Sequence, residues 1–337
     1  MKRHGNIFEG IISFDNLLLA SHKAMKGKKF KSSTGSFYFN LENEIFDLQE
    51  ELRKGIYHPS QYTQFEIREP KVRKICCSEF KDRVIHHAIC NKIEPIFESR
   101  AIYDSYACRV GKGAHAALFR CQKFTKSFNY FLKCDIRKFF ESIDHLVLKK
   151  LIRKVFKDYK LISLLDFIID HKVPGNFDGK GLPIGNLTSQ HFANFYLGEL
   201  DHFIKDCLRV KGYVRYMDDF ILFAENKNTL HGQLEKIRLF LHENLKLILK
   251  EKVTMIAPTF EGVPYLGFRV FPGMIRLKRE NLVRMRRTIT KKEKLFKRGI
   301  ITEKSLIQSV NSILAHVSHM DSLGARRKII EKSLKLA

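Results

Sequence analysis

Arg215-Tyr216-Met217-Asp218-Asp219-Phe220 lies between two short apolar runs, Tyr213–Tyr216 and Phe220–Phe223. Runs of that length around a polar pair read as a β-hairpin whose turn holds the acids. Adjacent carboxylates in one tight turn repel each other, and a cation that neutralises them makes the arrangement persist. An acidic pair that merely decorates an exposed turn is the competing reading, so a further acid from elsewhere has to decide. Lys133-Cys134-Asp135-Ile136-Arg137-Lys138-Phe139-Phe140 supplies one, because the apolar strand Tyr130–Asp135 ends in an aspartate. A strand-end Asp also caps helices, which is the plain alternative. Brought together, Asp135, Asp218 and Asp219 would clamp two divalent cations about 4 Å apart. Their oxygen chemistry suits magnesium, which keeps several waters and takes one or two carboxylates.

Outward from these acids the pattern changes character. Residues 1–60 read as helical, with Asn40 placed to cap a helix carrying Leu41, Ile45, Leu48 and Leu52, and Gly55 as its stop. Alternation over 62–75 predicts a small hairpin. Helical spacing of Val84, Ile85, Ala88, Ile89 and Ile93 predicts a helix over Asp82–Phe97, and another follows Gly113. Beyond strand 130–135, helices extend through Ile169, and Gly185–Leu208 reads as one long helix. A helix over Thr229–Asn244 and strands near Val253–Ile256, Tyr265–Phe271 and Met274–Leu277 follow. Residues 276–337 read as about three helices, and they hold 17 Lys+Arg against 5 Asp+Glu.

That one-signed excess tilts the segment from a solvated helix face toward a phosphate-binding surface. The whole chain has 61 Lys+Arg against 36 Asp+Glu, a formal charge of +25. Self-repulsion on that scale is relieved when a polyanion shares the surface, and nucleic acid is the usual one. No apolar span is long enough to cross a bilayer: Ile11–Ala20 is broken by Asp15 and Asn16. Export and membrane binding are therefore not expected, and a cytoplasmic protein is. Seven cysteines without a C-x-x-C pair fit neither a disulfide framework nor a zinc site. The His86-His87 pair cannot place both rings on one helix face and reads as structural.

In their order along the chain, these motifs resemble those of reverse transcriptases. Asp135 matches the first palm aspartate, and Tyr216-Met-Asp-Asp219 matches the polymerase hairpin signature. Gly181-Leu-Pro-Ile-Gly-Asn-Leu-Thr-Ser-Gln190 resembles the motif between them, and Tyr265-Leu266-Gly267-Phe268 the primer-grip segment. The resemblance implies an α+β right-hand polymerase with fingers, an antiparallel-sheet palm and a helical thumb. It places an N-terminal and fingers region in 1–125, a palm in 126–275 with fingers helices around 145–180, and a basic thumb in 276–337. The implied activity is RNA-templated DNA synthesis from dNTPs with two Mg2+ ions, Mn2+ being able to substitute. One ion would lower the pKa of the primer 3′-hydroxyl and the other would steady the leaving pyrophosphate. Asp135, Asp218, Asp219 and the Ile136 carbonyl would hold them.

By the same resemblance Phe140 is the aromatic gate against a ribose 2′-hydroxyl, with Phe139 as the alternative. Lys71, Arg73 and Lys74 fall where basic side chains hold the incoming triphosphate, and Arg73 fits best because a guanidinium binds phosphate bidentately. Lys252 resembles the lysine proposed to protonate pyrophosphate, though Lys250 is nearly as good. Among reverse transcriptases the chain most resembles those of diversity-generating retroelements. Arg3-His-Gly-Asn6, Phe80–Ile89, Ser105–Arg109 with Gly111-Lys-Gly113, and the middle motif carry that likeness. Where many relatives have Gln-Gly and Ser-Pro, this chain has Ile184-Gly185 and Ser189-Gln190. Copying errors opposite template adenines, a template-repeat RNA paired with its cDNA, and a small basic pentameric accessory protein are what that likeness implies. A group II intron, retron or antiphage reverse transcriptase is the alternative enzyme, and an RNA-binding scaffold without turnover the alternative to an enzyme.

Overall fold

The structure, a computed structural model, describes residues 3–27, 32–68, 72–175, 178–318, 320, 321, 323 and 324. Its first elements are helices α1 (Phe8–Ile12), α2 (Phe14–Met25), α3 (Ser32–Phe39) and α4 (Leu41–Lys54), then strands β1 (Thr63–Arg68) and β2 (Val72–Cys77). Helices α5 (Phe80–Glu98) and α6 (Ala114–Ser127) lead to β3 (Tyr130–Asp135). Helices α7 (Phe139–Ser142), α8 (His145–Val155), α9 (Tyr159–Asp170) and α10 (Leu187–His202) follow. The hairpin β4 (Gly212–Tyr216) and β5 (Asp219–Ala224) precedes α11 (Lys227–Leu245) and β6 (Met255–Pro258). Last come β7 (Val263–Tyr265), β8 (Phe268–Val270), β9 (Ile275–Leu277), α12 (Arg279–Lys297) and α13 (Glu303–Ser318).

These elements form two compact units that interleave along the sequence. One holds Met1–Tyr103, Ile136–Leu208 and Glu235–Lys250; the other holds Asp104–Asp135, Arg209–Leu234 and Glu251–Ala337. In the first unit, α5 buries Val84, Ile85, Ala88, Ile89 and Ile93, the residues whose spacing predicted it. Asn16 on α2 is buried yet satisfied: its amide donates to the carbonyls of Ile11 and Ala88 and accepts from Asn91. Gly55 closes α4 in the left-handed region at φ 70°, as its position suggested, whereas the Asn40 side chain makes no capping bond. Asp158 starts two helices at once, accepting from the backbone N–H groups of Ile7, Phe8 and Leu161. Burial pulls its carboxyl upward, but those donors win and hold it below the usual range.

The second unit is built on a four-stranded antiparallel sheet in the order β4-β5-β3-β6. Phe131, Val214, Ile221, Phe223 and Ala257 lie on one face of it, and they join a core with α6 and the three-stranded sheet β7-β8-β9. Tyr265–Phe271 is not the single strand expected. Leu266 (φ 45°) and Gly267 (φ 86°) are both left-handed and turn the chain, so that Tyr265 pairs with Phe268. That is the conformation of a two-residue primed hairpin loop. Of the expected C-terminal bundle, α12 and α13 are described and the residues from 325 on lie outside the described set. All seven cysteines are free thiols. Among the described residues no helix is long and apolar enough to cross a membrane.

Candidate active site

The acids are positioned by strand register. On β3 and β5, Asp135 stands directly opposite Asp219, and Tyr216 on β4 is also opposite Asp219. Side chains alternate along a strand, so Asp219 shares its face with Ile221 and Phe223, while Asp135 shares it with Lys133 and Phe131. Both faces of these strands are buried, with Phe131, Ile221 and Phe223 on this one and Leu132, Phe220 and Leu222 on the other, and a one-residue slip of either strand would carry its aspartate to the opposite face. Met217 and Asp218 form the two-residue loop, and Met217 takes the left-handed conformation at φ 55°. A non-glycine residue held there costs of order 1–3 kcal/mol and persists only where its surroundings enforce it.

Part of that enforcement comes from Arg215, which is 1% exposed. Its guanidinium donates to the carbonyl of Met217 at 3.1 Å and to the Ser105 hydroxyl at 3.1 Å. Its backbone is clamped as well, taking the Asp104 carbonyl at 2.9 Å and giving its own carbonyl to Tyr106 at 3.0 Å. Asp104 is in turn held by Arg120. Lys133 supplies a second cation, donating to both oxygens of Asp219 at 2.8 and 2.9 Å. Burial nevertheless pushes the Asp219 carboxyl up to about 6 against the pull of Lys133, and Asp135 and Asp218 push the same way. The sequence reading gave neither Arg215 nor Lys133 a role. A charged residue at an inward position of an apolar strand was the available signal.

Three carboxylates grouped by the hairpin and its neighbour are a hard, all-oxygen donor set of the kind magnesium takes. Among the described residues, however, no three acidic, histidine or cysteine side chains are grouped closely enough to hold a metal ion by themselves. A cation here would complete its shell with water and substrate oxygens. Tyr265 lies fully buried beside this cluster, its hydroxyl without a hydrogen-bond partner and its phenol raised far above the ordinary value by burial. Leu266 and Gly267 carry the turn that receives α12. The Asn281 amide and the Lys278 N–H both donate to the Gly267 carbonyl, at 2.7 and 3.2 Å, and a Cβ at 267 would meet the Asn281 amide at 2.5 Å. Lys252 is exposed on the single turn Glu251–Val253 that leads into β6.

In the first unit another group of expected site residues is laced together by backbone. Leu182 donates to the carbonyl of Phe140, Gly181 to that of Ile143, and His145 to that of Gly179. The His145 ring bridges the Gly181 carbonyl, at 2.8 Å, and Asp170. Further along, Cys76 on β2 donates to the carbonyl of Ile184 at 2.8 Å. Gly185 has φ 133°, and a Cβ there would stand 2.2 Å from the Cys76 carbonyl oxygen, so glycine is required. Phe139 is buried, while Phe140 and Ile184 are half-buried. Pairing of Ile67 with Arg73 and of Glu66 with Lys74 sends those two cations to opposite faces of the ribbon. Lys71 lies outside the described residues.

The family model described as "Reverse transcriptase (RNA-dependent DNA polymerase)" matches residues 66–270, a span holding both groups. The chain belongs to the reverse transcriptase family. It is 23% identical over 328 residues to the group II intron-encoded protein LtrA of Lactococcus lactis subsp. cremoris, covering 77% of this chain and 54% of that protein. It is 26% identical over 275 residues to protein YkfC of Escherichia coli K12, covering 68% and 72%. This reverse transcriptase chain thus spans about half the length of the first of these relatives. The apo telomerase of Candida tropicalis matches with a TM-score of 0.52 at 12% identity, over 76% of this chain and 52% of that one. The shared fold is the right-hand polymerase.

On α12, Val283, Arg286, Arg287, Thr290, Lys291 and Lys294 line one shallow groove along a single helix face. Only Ile289 of that helix is buried. Four cations thus gather on one face of the segment that carries the charge excess.

Proposed function

We propose that this chain is an RNA-templated DNA polymerase whose nucleotidyl transfer is carried by Asp135, Asp218 and Asp219. The observation that supports it most is the register that sets Asp135 opposite Asp219, one residue from Asp218 in the hairpin loop. Bound divalent ions would activate the primer 3′-hydroxyl and steady the leaving pyrophosphate. The chain's own part is to hold the carboxylates, with the Ile136 carbonyl following Asp135, and to keep the loop in one shape through Arg215. The Phe140–Leu182 and Ile184–Cys76 bonds then fix the surface that would meet the incoming sugar, with Phe140 excluding a 2′-hydroxyl by shape. Arg73 and, from the opposite face, Lys74 are proposed for the triphosphate, together with Lys71. Lys252 is kept as a weaker candidate for the pyrophosphate. Tyr265, Leu266 and Gly267 are proposed to support the primer end.

Template RNA, its cDNA and dNTPs are the implied partners, with Mg2+ as cofactor and Mn2+ as substitute. Ile184-Gly185 and Ser189-Gln190 favour the diversity-generating type, with errors opposite template adenines and a small basic pentameric accessory protein. The intron-encoded relatives favour the group II intron type as a second reading. Primer extension on RNA with magnesium tests the first claim against an Asp218→Asn variant. Equal extension by both chains overturns it. The error spectrum, scored opposite each template base, separates the two types.

A further inference from the structure

The first unit carries a cavity of about 370 Å³ between α1, the end of α4 and α9. Five of the side chains lining it are rings: Phe8, Tyr57, His58, Tyr159 and Phe167. Phe8 and Tyr57 are buried, whereas Tyr159 is 81% exposed and Phe167 41%, so the rings run from core to solvent. His58 meets Phe167 edge-on, with ring centroids 5.1 Å apart. Three further lining residues are cations, Arg53 and Lys54 at the end of α4 and Lys160 at the start of α9. Among the described residues that line the cavity none is acidic. Glu50, which pairs with Arg53 at 2.8 Å and Lys54 at 3.3 Å, and Glu9, which pairs with Lys160 at 3.6 Å, lie outside the lining. Pairs between such exposed groups contribute little, so a phosphate can displace them at small cost.

The walls are fixed from behind. Asp158 accepts from the backbone of Ile7, Phe8 and Leu161 and so ties α1 to α9. The Tyr57 hydroxyl donates to Asp82 at 2.8 Å, and left-handed Gly55 turns the chain between Lys54 and Tyr57. A single exposed ring is ordinary. Rings grouped around a cavity, with cations on two elements beside them, match the stacking platform and phosphate track that hold single strands.

We propose that this cavity takes one unpaired nucleotide of a single-stranded nucleic acid, its base stacked on Tyr159 and Phe167. The phosphates on its two sides are met by Lys160 on one element and by Arg53 and Lys54 on the other. The volume falls near the lower end of the range for ligand pockets, about 300–1,000 Å³, which suits one nucleotide. Bases inside a duplex are stacked on one another, so only an unpaired one can enter. None of these residues is among those proposed for nucleotidyl transfer, and the strand is held at a second place. Stacking and phosphate contact read neither base sequence nor sugar, so RNA and DNA strands share the chemistry.

The test measures the Kd of the full chain for a labelled adenylate decamer, as RNA and as DNA, and for an RNA duplex of the same length. Magnesium and dNTPs are left out, so the result does not depend on turnover. Tyr159→Ala should weaken binding of a single strand by about fivefold to thirtyfold and leave the duplex within about twofold. Tyr159→Phe keeps the ring and should bind like the parent. Lys54→Gln and Lys160→Gln should each lower the slope of log Kd against log salt by about 0.7, one phosphate apiece. A loss confined to the RNA or to the DNA decamer supports the site and names its source. Tyr159 is largely exposed, and unchanged thermal midpoints would show that its variants fold. Should Tyr159→Ala not fold, Phe167→Leu and the two salt slopes decide. Parent-like affinity in Tyr159→Ala overturns the proposal, as does an equal loss on the duplex or a Tyr159→Phe as weak as the alanine variant. Adenosine monophosphate binding as tightly as the decamer would also overturn it, because a strand must engage the cations of both elements.

Discussion

The hairpin β4–β5 and the ribbon β1–β2 are both two antiparallel strands joined by a short connection, and they are held in opposite ways. Residues of β4 and β5 are buried almost throughout, and β5 is paired on both sides. Every residue of β1 is exposed, as are the first three of β2, and among the described residues the ribbon pairs with no further strand. An isolated two-stranded hairpin is marginal in water. The acids therefore sit where burial and register fix them to a small fraction of a strand spacing. Arg73 and Lys74, proposed for the triphosphate, sit on the exposed ribbon. On the proposed roles, chemistry that depends on ångström placement falls on the buried hairpin, and charge attraction, which tolerates error, on the exposed one.

The largest break in this comparison is Asp218→Asn, which keeps the hairpin's shape and removes one charge. RNA-templated extension should fall by about a thousandfold or more, with the folding midpoint little changed. The same neutralisation on the ribbon, Arg73→Gln, should act mainly through the dNTP KM, which a rate-versus-concentration series would show. Should both fall alike in kcat, the contrast between the hairpins is wrong.

Arg215→Met attacks the rigidity of the hairpin instead of its charge. It leaves the Met217 carbonyl and the Ser105 hydroxyl without that donor in a buried place. The cost should be about 3 kcal/mol of stability, read by denaturant unfolding. Gly185→Ala is the matching lesion beside the ribbon. Its methyl would stand against the Cys76 carbonyl at 2.2 Å, forcing β2 away from the 181–185 segment. We expect about 2 kcal/mol, smaller because an exposed ribbon can shift. Hydrogen exchange at the Cys76 amide, which is bonded to Ile184, would report that loss directly.

These lesions mark what could be read from the sequence and what could not. Two short apolar runs, one ending in Asp135 and the other following Asp218-Asp219, made the acids legible as candidates, but the register that sets Asp135 opposite Asp219 was not. The partners that hold them were not legible either. Lys133 reaches Asp219 across 86 residues and Arg215 reaches Ser105 across 110, and pairing at such separations leaves no periodic trace. The turn at Leu266-Gly267 was hidden because leucine is a poor turn former, and the Gly267 carbonyl is held by Asn281 of α12 and by Lys278 just before that helix. The bonds tying 140–145 to 179–182 involve irregular backbone, to which neither helical nor strand periodicity applies. Motif likeness alone pointed there.

Phe140→Ala tests the proposed gate against ribonucleotides. Phe139 is buried and holds the local fold, so truncating its half-buried neighbour should spare stability. Discrimination against ribonucleotides should relax by about tenfold to a hundredfold, measured as the ratio of kcat/KM for dNTP and rNTP. A larger change in Phe139→Ala than in Phe140→Ala, with both chains folded, would move the gate by one residue.

The smallest effect is expected at Ile184. The Ile184 carbonyl is fixed by the Cys76 amide, so its backbone place is set whatever the side chain. The side chain itself is apolar and can only pack. A glutamine there would offer a hydrogen bond to the sugar of the incoming nucleotide and hold it in one pose, which penalises a mispaired base. Ile184→Gln should therefore lower misinsertion opposite template adenine by a few-fold, roughly 1 kcal/mol of added discrimination, with correct incorporation nearly unchanged. Sequencing of cDNA copied from a template with all four bases measures this directly. An unchanged spectrum would make isoleucine a packing choice and overturn its proposed part in misinsertion.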